Sequence, residues 1–172
     1  KPTSAIKAMI TGWEELEEVE AISNEQVRET IENSAAGYYF IDQDGRLRNV
    51  NQAWLNMYKY KSKEEISGQH YANTRSKEEL PQLKETVERV LQNGESFSDL
   101  EVKRLNKDGT EGYHLLTANP VWSGDEIVGM EGFVVDMTER KLSQQQLEAR
   151  KKELEEVLKS RNQSDENSSE SE

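Results

Sequence analysis

Residues 129–141, GMEGFVVDMTERK, change their period partway along. Up to Met137 they belong to a strand-like run, EIVGMEGFVVDM (126–137). From Thr138 the sequence TERKLSQQQLEARKKELEEVLKSR (138–161) reads as a helix, with Leu147 and Leu154 seven apart and Arg150 and Val157 on the intervening seam positions. About two heptads are visible, a short coiled-coil signal. The following NQSDENSSESE is polar, acidic and without apolar anchors, so residues 162–172 are expected to form a disordered acidic tail.

Working back from that boundary, two more strand-like runs precede it, FSDLEVKRL (97–105) and GYHLLTANPVW (112–122), separated by the turn-rich NKDGTE (106–111) and SGD (123–125). The three runs predict an antiparallel meander. Alternation in the middle run puts Tyr113, Leu115, Thr117, Asn119 and Val121 on one face and His114, Leu116, Ala118 and Trp122 on the other, and one face should cover a core. Upstream lie helices: Ser62 with Glu65 and Ser76 with Glu79 have capping-box spacing, and the second helix should run to the Asn93-Gly94 stop. Pro81 is tolerated only near a first turn, which moves that helix's start towards Leu80. Asn51 can cap a helix through NQAWLNMY, with Trp54, Met57 and Tyr58 spaced for one buried face. Before it, YYFID (38–42) and RLRNV (46–50) flank an Asp44-Gly45 turn and predict a β-hairpin.

At the N-terminal end, WEELEEVEAI (13–22) sets Trp13, Leu16, Val19 and Ile22 in one apolar stripe of an amphipathic helix. Ser23 and Gln26 then suggest a bend and a second helix carrying Val27 and Ile31 towards the core.

The 172 residues suit one domain with appendages, and a charged fraction of 33% leaves part of the length as exposed helix or tail. A formal net charge of −12 repels phosphate backbones and anionic lipid, which argues against nucleic-acid binding. No apolar run approaches the roughly 20 residues of a membrane-spanning helix, and no secretory leader is read at the N-terminus. The absence of cysteine excludes disulfides, thiolate metal sites, cysteine nucleophiles and flavin–cysteine photochemistry.

The order of elements, helix, hairpin, short helices, three strands and exit helix, resembles the PAS family of sensory domains. Three strings carry the resemblance: FIDQDGRLRNVNQAW (40–54), RLNKDGTEGYHL (104–115) and GMEGFVVDMTERK (129–141). It covers about Val27 to Lys141 and implies an α+β fold of five antiparallel strands in spatial order two-one-five-four-three, in a bacterial or archaeal signal-transduction protein. The family's closing signature, an aspartate, a hydrophobic residue and a threonine, is matched by Asp136, Met137 and Thr138. Thr138 can cap the exit helix, and the Asp136 carboxylate can reach backbone amides or Arg140. Asp136, Thr138 and Arg140 are therefore the expected transmission residues.

Candidate chemistry is sparse. His70 and His114 are the only histidines, too few for a multi-histidine metal site. Haem-binding relatives place an axial histidine on the long helix, and KEELPQLKETVERVL (77–91) has none. His70 reads as a loop residue, and His114 as a surface or satisfied strand residue. Trp54, Tyr58 and Trp122 have the shape to stack on a flat cofactor such as flavin, although aromatics at helical spacing usually build a core. Arg104 and Asn119 would orient a carboxylate or small polar ligand if they faced inward. The favoured expectation for Arg104 is a solvated side chain paired with Glu101 or Glu111. Trp54, Tyr58, Arg104 and Asn119 thus form the ligand-binding set. No nucleophile sits beside a histidine and no phosphate loop is present, so no enzyme is read in these residues.

The sequence thus predicts an N-terminal amphipathic helix (1–26), a PAS domain (27–138), a signalling helix (139–161) and the tail (162–172). It should be a cytoplasmic homodimer paired through its terminal helices, without cofactor or metal. Its task would be to sense a small ligand or partner and relay the event to an output kinase or cyclase domain of the parent protein. A ligand-free dimerisation adaptor would instead have a filled core, and a haem or flavin sensor would be coloured.

Overall fold

The computed structural model describes residues 23–169, with side chains through residue 161. The stripe Trp13, Leu16, Val19 and Ile22, and with it most of the expected N-terminal helix, lies outside the described residues. Helix α1 covers 23–32. It is followed by β1 (Gly37–Asp42), β2 (Leu47–Val50) and α2 (Gln52–Tyr58). Two 3-10 turns (Lys63–Glu65 and Tyr71–Thr74) lead into α3 (Leu80–Asn93), then β3 (Phe97–Leu105), β4 (Glu111–Ser123), β5 (Glu126–Asp136) and α4 (Thr138–Ser169). The five strands form one antiparallel sheet in the order β2-β1-β5-β4-β3, as the resemblance implied.

Local chemistry explains the joints. At the β1–β2 turn Asp42 Oδ1 accepts from the amides of Asp44 and Arg46, and Gly45 takes the positive φ of 71° that the tight reversal needs. Asn51 is 1% exposed and all its side-chain positions are used. Its Oδ1 accepts from Tyr38 N at 2.8 Å and from Trp54 N at 3.0 Å, while Nδ2 donates to the carbonyls of Ile31 and Ala36. One side chain therefore caps α2 and ties it to β1 and to the end of α1. Helix α3 starts with Pro81 in its first turn and stops at Gly94, whose left-handed φ of 70° closes the carbonyl end.

The core lies between the inner face of the sheet and α2 and α3. Tyr39, Ile41, Leu116, Ala118, Met130 and Val134 point inward from the strands, and Trp54, Leu55, Tyr58, Leu83, Val87 and Val90 meet them from the helices. On β4 the inward face is the one carrying His114, Leu116 and Ala118.

Several expectations are corrected. Trp122 leaves that face: a bulge between Val121 and Trp122 breaks the alternation, and the indole, 54% exposed, lies over Gly94. Val27 is 55% exposed, since α1 turns Ile31 rather than Val27 inward. On α2 the buried set is Trp54, Leu55 and Tyr58, with Met57 only partly covered. Ser62 makes no side-chain cap; Glu65 instead accepts from the amide of Lys61. Helix α4 is described as far as Ser169, and no glycine or proline follows Gly132 in the sequence. Among the described residues no helix is long and apolar enough to cross a membrane.

Candidate functional site

Two features sit side by side in the core: a small cavity and a buried polar relay. The cavity has a volume of about 20 Å³, room for one water molecule. Its walls are mainly apolar, from Tyr39 and Ile41 on β1, Trp54 on α2, Leu83 and Val87 on α3, Leu116 and Ala118 on β4 and Met130 on β5. Thr74, Arg75 and Thr86 supply the polar wall. Outside it runs an open groove of about 470 Å³ between the β1–β2 turn and α3, and Tyr71 and Val87 line both spaces.

The relay is centred on Tyr58, which is fully buried and stacked on Trp54 with ring centroids 4.0 Å apart. Arg75 Nη1 donates to Tyr58 Oη at 2.6 Å, and Tyr58 Oη lies 3.0 Å from His114 Nδ1. Because arginine can only donate, the phenolic proton is free to go to His114 Nδ1, which leaves the imidazole proton on Nε2. That Nε2 is buried with no hydrogen-bond partner. Burial, and then the charges of Arg75 and Arg104, push the His114 pKa well below its ordinary value and keep the ring neutral.

Arg104 lies on the other side of Tyr58, its guanidinium carbon 5.9 Å from the ring centroid, against 5.7 Å for Arg75. It is 5% exposed and fully engaged. Nε donates to Asn106 Oδ1 at 2.9 Å, Nη1 to the Tyr113 carbonyl at 3.3 Å and Nη2 to Asp136 Oδ2 at 2.7 Å. Asp136 Oδ1 accepts from the amide of Thr138 at 2.9 Å, at the first residue of α4. Burial raises the Asp136 pKa, but the hydrogen bonds from Arg104 and Thr138 outweigh it and hold the carboxyl below its usual value. Thr138 Oγ1 in turn accepts from Tyr113 N at 2.9 Å and lies 3.3 Å from the Tyr113 carbonyl. Gly112 permits this approach, since a methyl there would stand 2.7 Å from Arg104 Cζ and 2.8 Å from Thr138 Oγ1. Hydrogen bonds therefore join Arg104 through Asp136 to the start of the exit helix, and Arg104 meets the buried Tyr58 across its ring face.

Of the residues expected to bind a ligand, Trp54 lines the cavity and Tyr58 stands directly behind it. Arg104 and Asn119 do not line it. Arg104 is buried and bound to Asp136 rather than solvated, because it shares the inward face of β3 with Val102, while Glu101 pairs with Lys141 and Glu111 with Lys103. Asn119 is exposed, on the opposite face of β4 from His114, Leu116 and Ala118. Of the transmission set, Asp136 and Thr138 meet at the helix start, whereas Arg140 is exposed and Asp136 reaches Arg104 in its place. The cap is Asp136, not Thr138, whose hydroxyl is held by β4. His114 is buried at 1% exposure rather than on the surface, and His70 caps the second 3-10 turn through Nδ1 to Ala72 N. Sequence reasoning missed Arg75 altogether. Among the described residues no group of three or more histidines, cysteines, aspartates or glutamates could hold a metal ion.

The family profile described as PAS fold matches residues 31–142. The chain therefore belongs to the PAS fold family, whose members are sensory modules. Solved structures agree on the fold. The PAS domain of a protein from Colwellia psychrerythraea is 22% identical, with 67% of this chain and 97% of that one covered at a TM-score of 0.61. A sensory box histidine kinase/response regulator from Burkholderia thailandensis is 14% identical, covering 76% of this chain and 98% of that one at 0.59. The LOV domain of a blue-light-activated histidine kinase from Erythrobacter litoralis is 22% identical, covering 62% and 99% at 0.54. A comparison with curated protein sequences found no significant match.

Proposed function

We propose that this chain senses a small molecule in its core cavity and passes the event through α4 to an output domain of the parent protein, such as a histidine kinase or diguanylate cyclase. The observation that supports the reading is the run of contacts from Tyr58 across its ring face to Arg104 and by hydrogen bonds to Asp136 and Thr138, which lies between the cavity wall and the first turn of the exit helix. Two of the structural relatives are parts of histidine kinases, which supports that kind of output. Light sensing by cysteine–flavin adduct is unsuited to a chain with no cysteine, and the purified protein should be colourless, with no Soret or flavin band. In the reading adopted here the module is cytoplasmic and works as a parallel homodimer. Leu147, Leu154, Val157 and Leu158 of α4 are each more than half exposed in the single chain, an apolar surface that a second copy of the helix would cover.

The test is paired. Asp136→Ala and Thr138→Ala are compared for thermal stability in this chain and for output activity in the parent protein. Coupling requires output to fall by more than the lost stability explains; a proportional loss would reduce Asp136 to a helix cap and Thr138 to a structural tie to β4. A second reading, a ligand-free dimerisation adaptor, is favoured by the small cavity, about 20 Å³.

A further inference from the structure

Arg75 is 8% exposed, at the end of the second 3-10 turn, and forms part of the cavity wall. Its guanidinium donates only to neutral acceptors, Tyr58 Oη at 2.6 Å and the Thr74 carbonyl at 3.2 Å. Its Nε is buried with no hydrogen-bond partner, and among the described residues no carboxylate forms an ion pair with it. Asp136, the acid that reaches the relay, is committed to Arg104. Of the two buried cations only Arg104 has a carboxylate partner, and an isolated buried charge is strongly disfavoured unless something of opposite sign pairs with it.

We propose that the cavity takes a small organic monocarboxylate, with its anionic end on Arg75 and its apolar body against Leu83, Val87 and Met130. This rests on the reading of the cavity as a ligand site and names what the site selects. One guanidinium with a free Nε–H suits one carboxylate, to which it presents parallel donors in a poorly solvated setting. Apart from Thr74 and Thr86 the other walls are apolar or aromatic, and no second charged group lines them, which disfavours a multiply charged molecule. Access is through the outer groove: Tyr71 and Val87 form the partition between groove and cavity, and displacement of the Tyr71 ring opens one space into the other. The cavity at about 20 Å³ must grow to admit such a ligand, so binding shifts α3 and the 3-10 turn that holds Arg75. Because Arg75 is bonded to Tyr58, that shift reaches the relay directly.

The probes are phenylacetate and phenylacetamide, which share a shape and differ in charge, titrated into the full chain with calorimetry and methyl NMR. Phenylacetate should move the methyl resonances of Leu83, Val87 and Met130 and bind at least about tenfold more tightly than the amide. Arg75→Gln should remove that preference and leave the amide's affinity unchanged. If the amide binds as well as the acid in the unaltered chain, the anion assignment falls while the ligand cavity stands, and this comparison needs no variant to fold. If both probes leave those methyls unmoved up to their solubility limits, the ligand reading falls together with the anion assignment.

Discussion

Arg75 and Arg104 face each other across an isolated antiparallel bridge, flank the same tyrosine ring and are buried to nearly the same degree, yet their surroundings differ in sign. Arg104 has a carboxylate, a side-chain amide and a carbonyl; Arg75 has a phenol and a carbonyl, and its buried Nε has no partner. Two similar side chains thus do opposite things to stability. The side of Tyr58 towards α4 has its charge paired, and the side towards the cavity holds an uncompensated charge.

The widest separation should come from replacing each arginine by methionine. Arg104→Met is expected to cost about 2–3 kcal/mol in chemical denaturation. The loss falls below that of a fully buried pair because the Asp136 side chain is 44% exposed and can be hydrated. Arg75→Met should stay within about 1 kcal/mol of the parent, since removing an unpaired buried charge offsets the lost bond to Tyr58. Equal losses at the two positions would abolish the distinction.

A smaller effect concerns pH. His114 has a depressed pKa in the folded state, so below pH 6.5 the unfolded chain binds a proton that the folded chain does not. Stability should therefore be intact above about pH 7 and fall by about 1.4 kcal/mol per pH unit as pH drops below about 6.5, until the folded-state pKa is reached. Asp42 and Asp136, with pKa values lowered from 3.8, contribute only at lower pH. His114→Gln should flatten the slope between pH 6.5 and 5; an unchanged slope would mean that burial does not hold the ring neutral in the folded state.

The smallest effect is expected at Arg140. Exposed and not bonded to Asp136, it should tolerate Arg140→Ala within about 0.5 kcal/mol. A loss comparable to that of Arg104→Met would show that Asp136 is shared between them.

What was legible in the sequence follows the same division. The period change at Thr138, the Asp44-Gly45 turn and the cap at Asn51 are local signals, and each marks a real joint. Asp136 could be recognised as a helix-start residue, but its true partner is 32 residues away and is delivered by strand pairing through β4, so the nearer Arg140 was the natural choice from sequence. His114 shares the inward face with Leu116 and Ala118; alternation alone would have buried it, had a histidine on a strand not been read as a surface or satisfied group. Arg75 follows a 3-10 turn with neither a helical nor a strand period, so no pattern says which way it points. Asn119 looked equivalent to Arg104 as a strand polar residue, and only the register separates them.

Thr138 is latched to β4 by both backbone groups of Tyr113, so the origin of α4 cannot drift without the sheet. The helix that starts there has 32 residues, a length of about 48 Å at the usual rise of 1.5 Å per residue. Carried rigidly, a tilt of about 5° at that latch sweeps the far end through about 4 Å, not far short of a full helical turn. The latch gives α4 a fixed fulcrum at Tyr113, so that any small tilt there is magnified along the length of the helix.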